Sequence, residues 1–235
     1  MKKEEWLEGV KTTLPICISY FPIGIACGIV MQQSGFGAFA VLLTSILLYG
    51  GASQFMIAGM MLSGAGLLEI LFMVFFINLR HLLMSSSLAS RVKDESSLFH
   101  FVFAQTITDE SFGINTIHFR NHSDWTPNKA LAAGTLPYLT WVISTFIGAI
   151  AGNTLEVSTL VMNYMLTAMF IYLLVTQIEN RIILWTAISA IIFAIIFMLL
   201  LQNTISILIA SVLASLFGLY LETLKEKKRG RIYEN

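Results

Sequence analysis

Residues 47–60 read LLYGGASQFMIAGM. They lie in a run from Thr12 to Leu68 that holds no Asp, Glu, Lys or Arg, yet two adjacent glycines and a Ser-Gln pair stand near the middle. Each glycine costs an uninterrupted helix about 1 kcal/mol relative to alanine. A helix broken at membrane depth puts the same residues to use: glycine admits backbone angles closed to other residues, and Ser and Gln supply hydrogen-bonding groups to the freed backbone.

The surroundings of this stretch decide its solvent. Of 235 residues, 56% are hydrophobic and 12% charged, with a mean hydropathy of +0.77, too apolar for an ordinary soluble domain. Further charge-free runs cover 130–155, 157–178, 182–201 and 202–221, and a helix crossing a bilayer needs about 20 such residues. The hydrophobic segments are 12–31, 39–62, 66–88, 98–118, 131–152, 158–178, 182–201 and 203–222. The expected fold is all-α, a polytopic integral membrane helix bundle of 7 to 8 hydrophobic segments in a single transmembrane domain over 1–235.

Glu4, Glu5 and Glu8 spoil the basic start of a signal peptide, so the first segment reads as a retained helix. Cys17 and Cys27 lie inside it as packing residues and suggest no disulfide framework. Lys plus Arg and Asp plus Glu balance at 14 each. No nucleic-acid partner is indicated, and KEKKRGR at 225–231 reads as a cytoplasmic anchor.

Basic residues mark the cytoplasmic side. The N-terminus, 89–97, 119–129, Arg181 and the tail carry them, whereas 32–38, 153–157 and 202 do not. If every segment crossed fully, 89–97 with Arg91 and Lys93 would fall outside. The conflict disappears if 39–62 and 98–118 both return to the side they entered from. These segments also contain the internal disruptions YGGASQ and QTITDES, so both are expected to be broken or re-entrant helices.

Two segments echo one another. TLPICISYFPIGIACG from Thr13 and TLPYLTWVISTFIGAIAG from Thr135 share Thr-Leu-Pro and then Gly-xxx-Gly, at Gly24/Gly28 and Gly148/Gly152. A weak internal repeat, 9–120 and 130–222, is one reading. Ordinary small-residue helix packing is the other.

An ionisable group near mid-membrane costs roughly 2.5–3.5 kcal/mol on insertion scales and so marks a partner or a function. Candidates are Glu69, Arg80 with His81, and Asp109 with Glu110. Glu69 and Arg80 also fit interfacial snorkelling and anchoring. Asn78 and His81 share a helical stripe. Gln105 and Asp109 lie one turn apart, as do Thr106 and Glu110, and at least one of the carboxylates is expected to face a cavity. His118 and His122 have i,i+4 spacing but no matching cluster, which reads as a polar loop rather than a metal site. No Walker loop or nucleophile motif occurs, and neither cofactor, metal nor enzymatic activity is expected.

GGASQF at 50–55, NLRH at 78–81 followed by SSSLASR, and TDESF at 108–112, in that order, resemble the AzlC-type (azaleucine-resistance) large subunits of bacterial branched-chain amino acid exporters. LPICISYFPIGIACG is similar to that family's start. The resemblance implies export of leucine, isoleucine and valine, extending to methionine or histidine. It also implies proton coupling, a small AzlD-type membrane subunit as partner, and residence in the bacterial cytoplasmic membrane.

The residues suit a zwitterionic substrate. Gly50 and Gly51 offer a broken helix whose N-terminal amides attract a carboxylate, Ser53 a cap and Gln54 a hydrogen bond. Asn78 and His81 add polar groups, and Asp109 or Glu110 would face the ammonium or carry a proton. Met56, Phe55, Phe72 or Met73 would line an aliphatic pocket. The competing class is a membrane scaffold whose polar residues only join helices, which would tolerate isosteric amides at 109 and 110.

Overall fold

The computed structural model describes residues 3–154, 161, 164, 167, 168, 171, 174, 175, 178, 180–201 and 205–233. Their regular elements are all helices: α1 (Lys3–Gln33), α2 (Ala38–Leu47), α3 (Gly51–Leu62), α4 (Leu67–Ala89), α5 (Ser97–Gln105), α6 (Asp109–Asn121), α7 (Pro127–Gly152), α8 (Arg181–Leu201) and α9 (Ile205–Tyr233). Among the described residues, four stretches are long and apolar enough to cross a membrane: Glu4–Gln33, Leu67–Ala89, Pro127–Gly152 and Arg181–Leu200. The expected segment 158–178 falls largely outside the described residues. The chain forms two compact units, Met1–Gly64 with Val74–Leu166, and Ala65–Met73 with Thr167–Asn235.

The first unit is built on α1 and α7. Gly9 lies against Lys129 and Ala132, Gly24 against Ser144, Gly28 against Thr145 and Ala149, and Gln32 against Gly152. Position rises together along both helices, so they run parallel. An added Cβ at Gly28 would collide with the Thr145 carbonyl, and one at Gly148 with the Ile25 carbonyl. The two echoing Gly-xxx-Gly motifs are therefore halves of one interface, in which backbones meet where side chains are smallest.

The segment 39–62 is broken where its sequence is broken. Leu48 N–H still bonds the Thr44 carbonyl, but Tyr49 has a left-handed φ of 42° and Gly50 is extended at φ −137°, ψ 95°. The helix restarts with Gln54 N–H on the Gly50 carbonyl at 2.9 Å. Gln54 Nε2 then lies 2.8 Å from Ser45 Oγ and 3.3 Å from Thr44 Oγ1. Nine or ten residues of straight helix would separate these positions by about 14 Å, so the chain turns sharply between α2 and α3.

The segment 98–118 behaves the same way. α5 stops at Gln105, and α6 starts on a capping box in which Thr108 Oγ1 accepts from Ser111 N–H and Ser111 Oγ accepts from Thr108 N–H. Phe99 and Phe103 of α5 and Phe112 and Phe119 of α6 join one apolar cluster with Leu88, Val92, Trp125, Ala130 and Ala133. Both limbs thus lie beside the start of α7, as does the beginning of α1, where Glu8 pairs with Lys129. The region around Leu88 and Val92, the α6–α7 loop and the N-terminal helix end share one end of the α1–α7 pair.

In the second unit α8 and α9 pack on each other, with Gly218 against Thr186. Glu69 accepts from Gly66 N–H at 3.1 Å and caps the start of α4.

Candidate functional site

The two helical hairpins meet at their tips. Gln105 Nε2 donates to the carbonyls of Ile46 (3.0 Å) and Leu47 (3.2 Å), and Tyr138 OH donates to Ile46 at 3.0 Å. The last carbonyls of α2, which have no partner within their own helix, are thus satisfied by side chains of α5 and α7. The ends of the first break are treated unequally, because no side chain caps α3.

Ser53 does not act as the cap expected of it. It is the third residue of α3, behind the N-cap Gly50, and its hydroxyl donates to Asn78 Oδ1 on α4 at 2.9 Å. Asn78 in turn donates through Nδ2 to the Val74 carbonyl. The amides of the first turn of α3 are left at a buried helix N-terminus, with Ala52 at 7% and Ser53 at 1% exposure. The glycines are there for space: a Cβ on Gly50 would lie 3.0 Å from Asn78 Oδ1, and one on Gly51 2.9 Å from the Trp141 ring.

Gln54 is wholly enclosed, and its amide is used inside the fold. Oε1 accepts from Trp141 Nε1 at 2.7 Å, and Nε2 reaches Ser45, Thr44 and the Met31 sulfur. Ser45 continues to Thr145 at 2.7 Å. This network joins α1, α2, α3 and α7 and holds the first hairpin closed.

At the second tip the neighbouring carboxylates diverge. Asp109 Oδ2 pairs with Arg80 Nη1 of α4 at 2.8 Å, whereas Glu110 Oε2 accepts from Tyr20 OH of α1. The Tyr20 hydroxyl also lies 3.2 Å from Thr108 Oγ1. His81 is half-buried, within electrostatic reach of Arg80, Asp109 and Glu110. Tyr20 stands edge-on to Trp141 and Tyr49 edge-on to Tyr138, with centroids 5.5 and 4.8 Å apart. Of the residues suggested for an aliphatic pocket, Phe55 is buried in the core and Phe72 is 57% exposed.

The family model described as AzlC protein matches residues 15–155. The chain belongs to the AzlC family.

Among AzlC-related sequences, the inner membrane protein YgaZ of Escherichia coli is 31% identical over 186 residues, covering 75% of this chain and 74% of the relative. An uncharacterized membrane protein of Archaeoglobus fulgidus is 30% identical, covering 77% and 79%. The branched-chain amino acid transport protein AzlC of Bacillus subtilis is 28% identical, covering 70% and 65%. No solved structure matches. The AzlC match takes in α2 to α6 and the glycine interface of α1 and α7, and hence both hairpin tips.

Sequence reasoning about this AzlC chain overlooked Tyr20, Tyr49, Tyr138 and Trp141, which surround the tips. A tyrosine or tryptophan in an apolar helix carries no spacing signal, and only the fold shows which hydroxyl meets which carboxylate. It also overlooked Lys129, whose side chain is 7% exposed and binds Glu8 at 2.8 Å and Asp124 at 2.9 Å. The hydrogen bond from Lys129 holds the Asp124 carboxyl below its ordinary range. His118 stacks on Trp125 with centroids 4.2 Å apart and lies 4.9 Å from His122. Among the described residues no group of three or more His, Cys, Asp and Glu is placed to hold a metal ion.

Proposed function

We propose that this protein is a secondary transporter that exports branched-chain amino acids, leucine, isoleucine and valine first and methionine or histidine as extensions. It works in the bacterial cytoplasmic membrane with a small AzlD-type subunit and is driven by the proton gradient. The observation that carries the reading is the meeting of two hairpin tips, which puts an uncapped helix N-terminus and a pair of carboxylates into one polar centre. The name of the Bacillus subtilis relative, a branched-chain amino acid transport protein, supports the substrate class.

A zwitterion needs opposite partners a few ångströms apart. The first-turn amides of α3 behind Gly50 and Gly51 carry partial positive charge, worth up to ~2 kcal/mol to an anion in a partly buried site. Ser53 and Asn78 border this end, while Gln54 fixes its position. On the other side, α6 presents two carboxylates with His81 nearby, Glu110 to receive the ammonium and Asp109, paired with Arg80, to respond to a proton. Hairpin tips are suited to alternating access because each is joined to its limbs by a short non-helical turn.

The test is uptake or release of labelled leucine in proteoliposomes holding the chain and its small partner, with and without an imposed pH gradient. Gradient-dependent flux that falls in both Asp109→Asn and Glu110→Gln is expected. A scaffold subunit would give no flux with any branched-chain amino acid, and that result would overturn the reading.

A further inference from the structure

Asp109 and Glu110 are adjacent, yet they stand in different electrostatic positions. The charge of Asp109 is matched by the Arg80 guanidinium at 2.8 Å. Glu110 forms no ion pair among the described residues and accepts a hydrogen bond from the neutral Tyr20 hydroxyl. A hydroxyl donor stabilises a carboxylate but leaves its charge uncompensated.

The oxygens nearby are arranged around that charge. Tyr49, 3% exposed at the first hairpin tip, brings its hydroxyl near Thr108 and Glu110. Tyr49 is also held at a φ of 42°, a left-handed conformation that costs a non-glycine residue on the order of 1 kcal/mol. This strained backbone thus belongs to the residue that approaches Glu110 from the opposite hairpin. Glu110 itself is exposed on its remaining side, so a ligand can reach it.

A primary ammonium has three N–H donors and one positive charge. Glu110, the Tyr49 hydroxyl and Thr108 Oγ1 are acceptors for those donors. Resting on the transport reading, we propose that Glu110 is the carboxylate that binds the substrate ammonium, with Tyr49 as second acceptor and Tyr20 as the hydroxyl displaced on binding. Asp109 is a positioning residue: its pair with Arg80 ties α4 to the tip of the second hairpin. Displacing Tyr20 also loosens a link between α1 and the start of α6, so occupancy of the cradle is felt by the helix pair that supports both hairpins.

The full chain in lipid nanodiscs is titrated with leucine, with 3-methylbutylamine, which lacks the carboxylate, and with 4-methylpentanoate, which lacks the amine. Glu110→Gln is expected to weaken leucine and 3-methylbutylamine roughly 10- to 100-fold while leaving 4-methylpentanoate unchanged. Tyr49→Phe should do the same by roughly 3- to 10-fold. The double variant Arg80→Gln/Asp109→Asn should keep the ratio between leucine and 4-methylpentanoate, because it removes a matched pair. The assignment is overturned if Glu110→Gln binds both amines like the wild type, if it weakens all three ligands alike, or if the double variant loses the amines selectively. Leucine flux that persists in Glu110→Gln removes the cradle and leaves the transport reading standing. Binding of 3-methylbutylamine without any amino acid flux does the reverse, and a wild type that binds none of the three overturns both.

Discussion

Replacing Gln54 by leucine, a side chain of similar volume, should destabilise the protein by about 2 kcal/mol, chiefly through Trp141. The groups around the Gln54 amide nitrogen either keep another partner or bind it weakly: Ser45 keeps Thr145 at 2.7 Å, Thr44 keeps the Val41 carbonyl at 2.8 Å, and the Met31 sulfur is a poor acceptor. Trp141 Nε1 has Gln54 Oε1 at 2.7 Å, and the two residues are 4% and 0% exposed. A buried donor stranded in this way costs about 1–3 kcal/mol. Coupling between polar side chains in membrane proteins averages ~0.6 kcal/mol and reaches ~1.7. Complete burial and a short bond place this pair near the top of that range, at about 1–1.7 kcal/mol. The assay is a double-mutant cycle with Gln54→Leu, Trp141→Phe and the double variant, each unfolded reversibly by denaturing detergent in mixed micelles. Additive costs, with a coupling energy within about 0.5 kcal/mol of zero, would refute the role assigned to this bond in closing the first hairpin.

The glycines give opposite expectations. Gly28→Ala should cost about 1–3 kcal/mol by overpacking against the Thr145 carbonyl, whereas Gly113→Ala, with open space inside α6, should gain about 0.5–1 kcal/mol; the same unfolding assay reads both. In a chain lacking Cys17 and Cys27, cysteines at Ser90 or Ser96 should be labelled from the side on which the N-terminus lies, and labelling from the opposite side would refute the double return of the hairpins. Asp124→Asn should lower the thermal unfolding temperature at neutral pH by a small, salt-sensitive amount. Because Lys129 depresses the Asp124 carboxyl, its contribution is complete above the unfolded value near ~3.9 and fades as pH falls through the lower folded value. Wild type and variant should therefore converge in strong acid, and a difference that persists there would refute the pairing.

The position of each break was legible in the sequence because helix disruption is local. Gly50, Gly51 and the polar run from Gln105 to Ser111 oppose an apolar helix by their own propensities, whatever surrounds them. The loop charges went further, since Arg91 and Lys93 report a side of the membrane without any knowledge of packing. The partners of Gln54, Ser45 and Trp141, stand 9 and 87 positions away, beyond any local window. Ser53 likewise met Asn78, 25 positions on, instead of its own helix end.

By itself, then, the sequence determined a polytopic helix bundle with two interrupted segments and polar residues inside them, since hydropathy, charge and backbone propensity are properties of short windows. Tertiary structure alone decided that the hairpin tips meet, that Arg80 neutralises Asp109, and that Tyr20 rather than a cation faces Glu110. Those choices depend on which atoms lie within about 3 Å of one another, and such distances are set by how α1 and α7 pack through their glycines and hold both hairpins in place.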